Sequence, residues 1–274
     1  MTESRKLAIK NLKGSDEEMR VSWMLKNMSQ NKAFKYLLEN EKLENQNILL
    51  KSLQERYKTY RNQWRGNAKF AIKNYLIGNK FNDSDIKPLC IDIETASVCD
   101  LACPHCYRQF IATPDKIMSK ELAFKIIDQA SQLNVPSMKF NWRGEPLLNP
   151  KIYDYIKYAK KKGILETIIN TNATNLTENN SKKLIESGLD LIIYSFDGGS
   201  KKTYEKMRPG RFKHNSFEKV YSNIKKFKKT RDQLKAKLPF TKIQMILTKD
   251  TFNEVNNFFE LFNDYVDDVS VNQY

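Results

Sequence analysis

Cysteine, histidine and glycine are scarce in this chain, and it nowhere runs apolar for long. No stretch approaches the roughly 18 apolar residues that a membrane-spanning helix needs, so no membrane partner is expected. The opening Met1-Thr-Glu-Ser-Arg-Lys6 leads into no apolar segment, which predicts a cytoplasmic protein whose four cysteines stay reduced. A disulfide framework is therefore not expected. Nine glycines and eight prolines, beside 40% apolar and 29% charged residues, exclude a collagen-like repeat and argue against disorder. The 274 residues suffice for one large domain or two modest ones.

Acidic residues are also in short supply, 32 against 47 basic ones, for a formal charge of +15. Such an excess alone would point to a polyanionic partner. Its distribution weakens that inference: residues 1–89 carry net +8, residues 90–200 are neutral, residues 201–242 carry +12 and residues 243–274 carry −5. Runs such as Lys225, Lys226, Lys228 and Lys229 read as solvated helix faces.

From about residue 15 to 77 the pattern is helical. Ser15 and Glu18 form a capping box ahead of Met19 and Trp23. Leu50, Leu53, Tyr57, Tyr60 and Trp64 recur at steps of three and four, with Arg56, Arg61 and Arg65 interleaved. That stripe is read as packing on the following domain, in preference to a nucleic-acid platform. A turn-rich stretch from Gly78 to Pro88 then divides a helical extension, residues 1–88, from residues 89–274.

The second unit alternates. Strands are expected at 89–95, 138–142, 167–172, 191–196, 243–248 and 269–271, and helices at 119–133, 150–162, 178–187, 217–229 and 253–264. Six strands and five helices in alternation predict an α/β fold, a parallel sheet or partial barrel whose ligand site lies at the C-terminal strand ends. The last strand reaches Tyr274 with no helix to cover it, so the sequence reads as truncated after the sixth strand, or as completed by something else.

Three of the four cysteines crowd into Cys99-Asp-Leu-Ala-Cys103-Pro-His-Cys106, just after the first strand. Three thiolates are one short of the set that a closed zinc site or an ordinary four-iron cluster takes, which leaves one metal position open. Zinc completed by His105 is the rival, but that residue lies between two of its co-ligands and has little freedom to close the same tetrahedron. His214 is the only other histidine, and Cys90 begins the strand whose far end carries the loop.

The spacing Cys99-x3-Cys103-x2-Cys106 resembles the signature of the radical S-adenosylmethionine (radical SAM) enzymes, in which three such cysteines hold a [4Fe-4S] cluster whose open iron binds S-adenosylmethionine. Other strand ends agree. Asn141-Trp-Arg-Gly-Glu-Pro146 resembles the family's GGEP motif, whose backbone grips the methionyl amino group; Gly144 stands where a backbone must approach a ligand closely. Asn170-Thr-Asn-Ala173 is similar to the family's T-N-G strand. Ser195-Phe-Asp-Gly198 and Arg208-Pro-Gly210 resemble elements of the branch that often carries SPASM or twitch auxiliary-cluster domains.

The resemblance implies a partial (βα)6 TIM-like barrel over residues 89–274, with any auxiliary-cluster domain absent from this chain. It implies cosubstrate contacts from Gly144, Glu145, Pro146, Asn172, Ser195, Asp197 and Arg208, and from His105 and Tyr107 beside the third cysteine. The sequence departs from the pattern where His105 replaces the usual aromatic residue and Arg143 the first glycine of GGEP. Singly, residues 143–146 and Asp197-Gly-Gly199 would pass for ordinary turns, and Arg208 reads equally as a solvated turn residue.

By the same resemblance the chain would cleave S-adenosylmethionine reductively to a 5′-deoxyadenosyl radical, which takes hydrogen from a peptide or small molecule, sugar-related ones included. An electron donor such as flavodoxin or ferredoxin is implied. The alternatives are an RNA-modifying radical enzyme using the basic segments, and a non-enzymatic zinc or iron–sulfur module.

Overall fold

The computed structural model describes residues 17–39, 45–78 and 87–273. Ser15 of the expected capping box, most of the expected linker and Tyr274 lie outside them. Among the described residues three α-helices come first: α1 (Glu17–Lys26), α2 (Lys32–Leu38) and α3 (Gln46–Leu76). Six strands follow: β1 (Cys90–Asp92), β2 (Ser137–Lys139), β3 (Glu166–Thr171), β4 (Leu191–Ser195), β5 (Phe240–Leu247) and β6 (Asp268–Gln273). They pair in sequence order, every neighbour parallel.

The crossovers are α4 (Lys120–Gln132), α5 (Ile152–Lys161), α6 (Glu178–Ser187), α7 (Lys201–Met207) with α8 (Phe217–Gln233), and α9 (Val255–Phe262). Hydroxyl N-caps start four of them: Ser119, Thr177, Ser200 and Ser216 accept from the N–H of Leu122, Asn180, Thr203 and Lys219. The expected α/β alternation is therefore present, with one helix more. Helix α7 buries little beyond Tyr204 and Met207, too short an apolar series to show as a period. Strand β1 is shorter than expected. Past Asp92 the chain keeps isolated bonds to its neighbour, Ile93 N–H to Lys139 O at 2.8 Å and Thr95 Oγ1 to Phe140 O at 2.7 Å.

Alternation along the strands separates two faces. Ile93, Met138, Phe140, Ile169, Ile192, Tyr194, Ile243, Met245 and Val271 pack with the helices in the main core. The intervening residues, Asp92, Lys139, Asn170, Ser195, Gln244 and Asn272 among them, share the concave face. A closed barrel fills that space with branched apolar layers; here Ile168, Ile193 and Ile246 share it with amides, hydroxyls and charged groups. Gln244 Oε1 accepts from Asn272 Nδ2 at 3.1 Å, and Lys139 lies 3.4 Å from Asp92.

The N-terminal helices cover the other end of the barrel. Met24, Met28, Phe34, Leu53, Tyr57 and Tyr60 form a second core with Leu165 and Leu238, which immediately precede or lead into β3 and β5. The expected α3 stripe thus packs on the following unit through Leu53, Tyr57 and Tyr60, whereas Trp64 is 46% exposed. Glu166, at the start of β3, is buried there and accepts from Arg20 Nη1 at 2.7 Å, Tyr57 OH at 2.9 Å and Tyr60 OH at 3.0 Å. Removing a buried carboxylate strands its guanidinium. Glu166→Ala is accordingly expected to cost about 3–5 kcal/mol, read as a lowered urea midpoint with an unchanged slope. No described helix is long and apolar enough to cross a membrane.

Candidate active site

The motif residues meet at the C-terminal strand ends, opposite the helical cover. After β1 the chain makes a long excursion that carries the cysteines and is pinned on both sides. Ala96 bridges to Ile117, Ser97 Oγ donates to Pro114 O at 2.6 Å, and Arg108 and Arg211 each reach Asp115 at 2.7 Å. On the other side the Arg208-Pro-Gly segment is zipped to it: Leu101 bridges to Gly210, Ala102 N–H donates to Pro209 O and Arg211 N–H to Asp100 O, both at 2.8 Å.

All four cysteines are free thiols. Cys103 is buried, and Cys99 and Cys106 are half-buried. Burial, helped by the Glu145 and Asp100 charges, pushes the Cys99 thiol up to about 12. Cys103 is also raised by burial, with Arg208 pulling the other way. Such thiols yield their protons most readily to a metal cation, which supplies the counter-charge.

Gly144, just past β2, has a φ of +65°, and a Cβ placed there would lie 2.2 Å from Ala96 O and 2.7 Å from Val98 O. What approaches this glycine is the cysteine loop's own backbone, to which Glu145 N–H also donates (Val98 O, 2.8 Å). Glu145 turns inward and accepts from Leu147 N–H at 3.0 Å, Thr171 Oγ1 at 2.7 Å and Asn172 N–H at 2.8 Å, stitching β2's end to β3's. Its burial pushes the carboxyl up to about 7 against those donors. Pro146 opens a single 3-10 turn and is buried.

Asn172 donates from Nδ2 to Asp100 Oδ1 at 2.8 Å, with Cys99 Sγ 3.9 Å away. Thr174 Oγ1 donates to the other Asp100 oxygen at 2.5 Å. Asp100 and Thr174 are not singled out from sequence; the acid directly after Cys99 is the signal that could have found the first of them. Arg143, in place of a glycine, forks onto Glu94 through Nε and Nη2, each at 2.7 Å, and donates from Nη1 to Thr113 Oγ1 at 2.9 Å.

Asp197, past the end of β4, is fully buried and joins three elements. Its Oδ2 accepts from Arg208 Nε at 2.9 Å and Nη2 at 2.7 Å, with His105 Nε2 3.3 Å away; its Oδ1 accepts from Ile246 N–H at 2.8 Å. Both oxygens are taken by the chain. Arg208 is therefore no solvated turn residue, and Asp197 ties its neighbours together. His105 Nδ1 is buried with no partner among the described residues. Ser195 ends β4 half-buried, and Tyr107 stands 56% exposed at the rim.

Cavities of about 770 Å³ and about 320 Å³ open elsewhere, against α3; Arg56, Tyr60 and Lys87 line the first, Val21, Leu25 and Arg65 the second. Neither includes a residue of the cysteine loop. Volume does not locate this site; the convergence of four strand ends does.

Comparison with known proteins decides the family. A family model described as the radical SAM superfamily matches residues 93–262. The chain belongs to the radical SAM superfamily. Among relatives of this radical SAM chain, a tungsten-containing aldehyde ferredoxin oxidoreductase cofactor-modifying protein of Pyrococcus furiosus is 29% identical over 170 residues, 60% of this chain and 45% of that one. An AdoMet-dependent heme synthase of Methanosarcina barkeri is 28% identical over 177 residues, 64% of this chain and 47% of that one. The chain thus spans less than half the length of either relative. In fold it resembles Streptococcus suis SuiB bound to precursor peptide SuiA, with a TM-score of 0.57 and 18% identity over 85% of this chain and 46% of that one.

Radical SAM enzymes use a [4Fe-4S] cluster and S-adenosylmethionine. The residues present fit such a group. Among the described residues no three His, Cys, Asp or Glu side chains converge as ligands of a single metal ion. A cubane takes one thiolate on each of three irons, so its ligands stand apart, whereas zinc needs convergence. Three sheltered thiols are the donor set that the radical SAM reading requires.

Proposed function

We propose that residues 89–274 form a radical SAM catalytic core, with residues 1–88 as a helical extension covering its base, and that the protein takes hydrogen from a peptide or polar small-molecule substrate. The observation that carries this reading is the joining of the cysteine loop to three other strand ends. When bound, a cluster and S-adenosylmethionine would supply, with one electron from a donor such as flavodoxin or ferredoxin, methionine and a 5′-deoxyadenosyl radical.

The chain's own residues do the rest. Cys99, Cys103 and Cys106 would be the cluster ligands. Gly144, Glu145 and Pro146 form the edge facing the methionyl end, and Glu145 holds Asn172 beside Cys99. Ser195 and Arg208 border the ribose and carboxylate side, His105 and Tyr107 the adenine side. The zipper between residues 100–102 and 209–211 keeps these groups in register and water out, which a reactive radical demands.

The concave face supports the substrate class. Two charge pairs lie on it, Asp92 with Lys139 and Glu94 with Arg143, beside amides, hydroxyls, Lys242 and the half-buried Ile168, Ile193 and Ile246. Such a surface reads a neutral, hydrogen-bonding substrate better than a polyphosphate, which asks for free cations. Nucleic acid is disfavoured on the same ground, because Lys225 and Lys228 lie on α8 over Tyr221 and beside Asp232. A steep fall of RNA binding with salt, beyond that of a charge-matched control, would revive it.

The test is anaerobic reconstitution with iron and sulfide, followed by reductant and S-adenosylmethionine. The expected products are 5′-deoxyadenosine and methionine in equal amounts. A folded, iron-loaded protein that forms neither would sink the proposal; zinc in the aerobic protein and no brown colour on reconstitution would favour a zinc module instead.

A further inference from the structure

A buried ion pair beside the cysteine loop invites a question about its use, because replacing such a pair by apolar residues is often neutral or stabilising. Arg208 and Asp197 are 7% and 0% exposed. Backbone bonds at 2.8 Å on either side of Asp100–Ala102 tie the arginine's segment to the stretch between Cys99 and Cys103. The aspartate reaches the same loop beyond Cys103, through His105 Nε2 at 3.3 Å. The pair is thus fixed to the loop from both sides of Cys103 and cannot swing away without breaking β5's contact as well, through Ile246 N–H.

We propose that the Arg208–Asp197 pair sets the reduction potential of the cluster held by Cys99, Cys103 and Cys106, with Arg208 raising it and Asp197 lowering it. The inference rests on the cluster assignment above. Reduction takes one electron from an external low-potential donor and no proton, so the cluster with its thiolates becomes one unit more negative. A fixed positive charge beside it favours the reduced form, and a fixed negative charge opposes it. Burial keeps both effects unscreened. Arg208 is in this account a positioning and tuning residue, whatever else its remaining Nη1 contacts.

The test is an EPR-monitored redox titration, with viologen mediators, of the anaerobically reconstituted full chain and of R208Q, R208K and D197N. R208Q is expected to move the midpoint negative by about 59 mV or more, a tenfold change in a one-electron equilibrium. D197N is expected to move it positive, and R208K to stay near the unsubstituted protein. Opposite signs are the signature, because loosening of the loop would admit water in every variant and move all midpoints the same way. Equal or same-signed shifts in R208Q and D197N, at full iron content, overturn the proposal. Should D197N fail to fold, R208Q must still fall below R208K, and equality of those two overturns it. An unsubstituted chain that folds but assembles no [4Fe-4S] cluster defeats the underlying assignment, a result distinguishable from immobile midpoints on an intact cluster.

Discussion

Single replacement of Cys99, Cys103 or Cys106 by alanine is expected to drop 5′-deoxyadenosine formation to the level of a protein-free blank, whereas Cys90→Ala leaves it intact. Three ligands hold a cluster with none to spare, and the described residues around the loop offer no replacement. His105 is held by Asp197, and Asp100 is occupied by Asn172 and Thr174. Cys90 serves as the internal control. It opens β1, its thiol lies 3.5 Å from Asp92 Oδ1, and burial pushes it up to about 12, so it behaves as a buried thiol away from the strand end that carries the loop. Iron and sulfide content should fall with activity in the three loop variants and stay full in Cys90→Ala. Retention of cleavage by any one loop variant would mean that a ligand has been misassigned.

Much of this site was legible because its residues follow one another along the chain. The cysteine spacing, Gly144-Glu145-Pro146 and the strand-end positions of Asn172 and Ser195 need only alternation and order to be placed. Pairings across the fold were not legible in that way. Nothing local says that Asp197 spends both oxygens on Arg208, His105 and the Ile246 amide. The same holds for Arg208. A turn arginine with no local partner reads as solvated until the zipper to Ala102 and Leu101 brings it inside.

The charge excess resolves similarly. Glu166 and Asp190 are buried acids whose partners, Arg20 and Lys160, come from distant helices at 2.7 Å each. A one-dimensional charge count cannot see such pairs. It does see that residues 90–200 are neutral, and two charge pairs on the concave face they help to build, Asp92 with Lys139 and Glu94 with Arg143, agree.

A structural effect that reaches the cluster is expected at Gly144, where Gly144→Ala should lower stability by about 2–5 kcal/mol and remove most of the cluster on reconstitution. Two costs combine. A non-glycine residue held in the left-handed region loses about 1–2 kcal/mol, and forcing atoms into occupied space adds about 1–3 kcal/mol. The obstruction is backbone, at Ala96 O and Val98 O, and cannot rotate aside. Relief requires the loop before Cys99 to move away, which breaks the Glu145 N–H bond to Val98 O. Gly163, after α5, isolates the two costs: its φ is +83°, yet a Cβ there would meet nothing within 4 Å. Gly163→Ala should therefore show only the conformational cost and keep its cluster. Urea unfolding and iron content of the two variants, side by side, measure the difference. Equal destabilisation with clusters retained in both would show that the close approach at Gly144 is not what demands glycine.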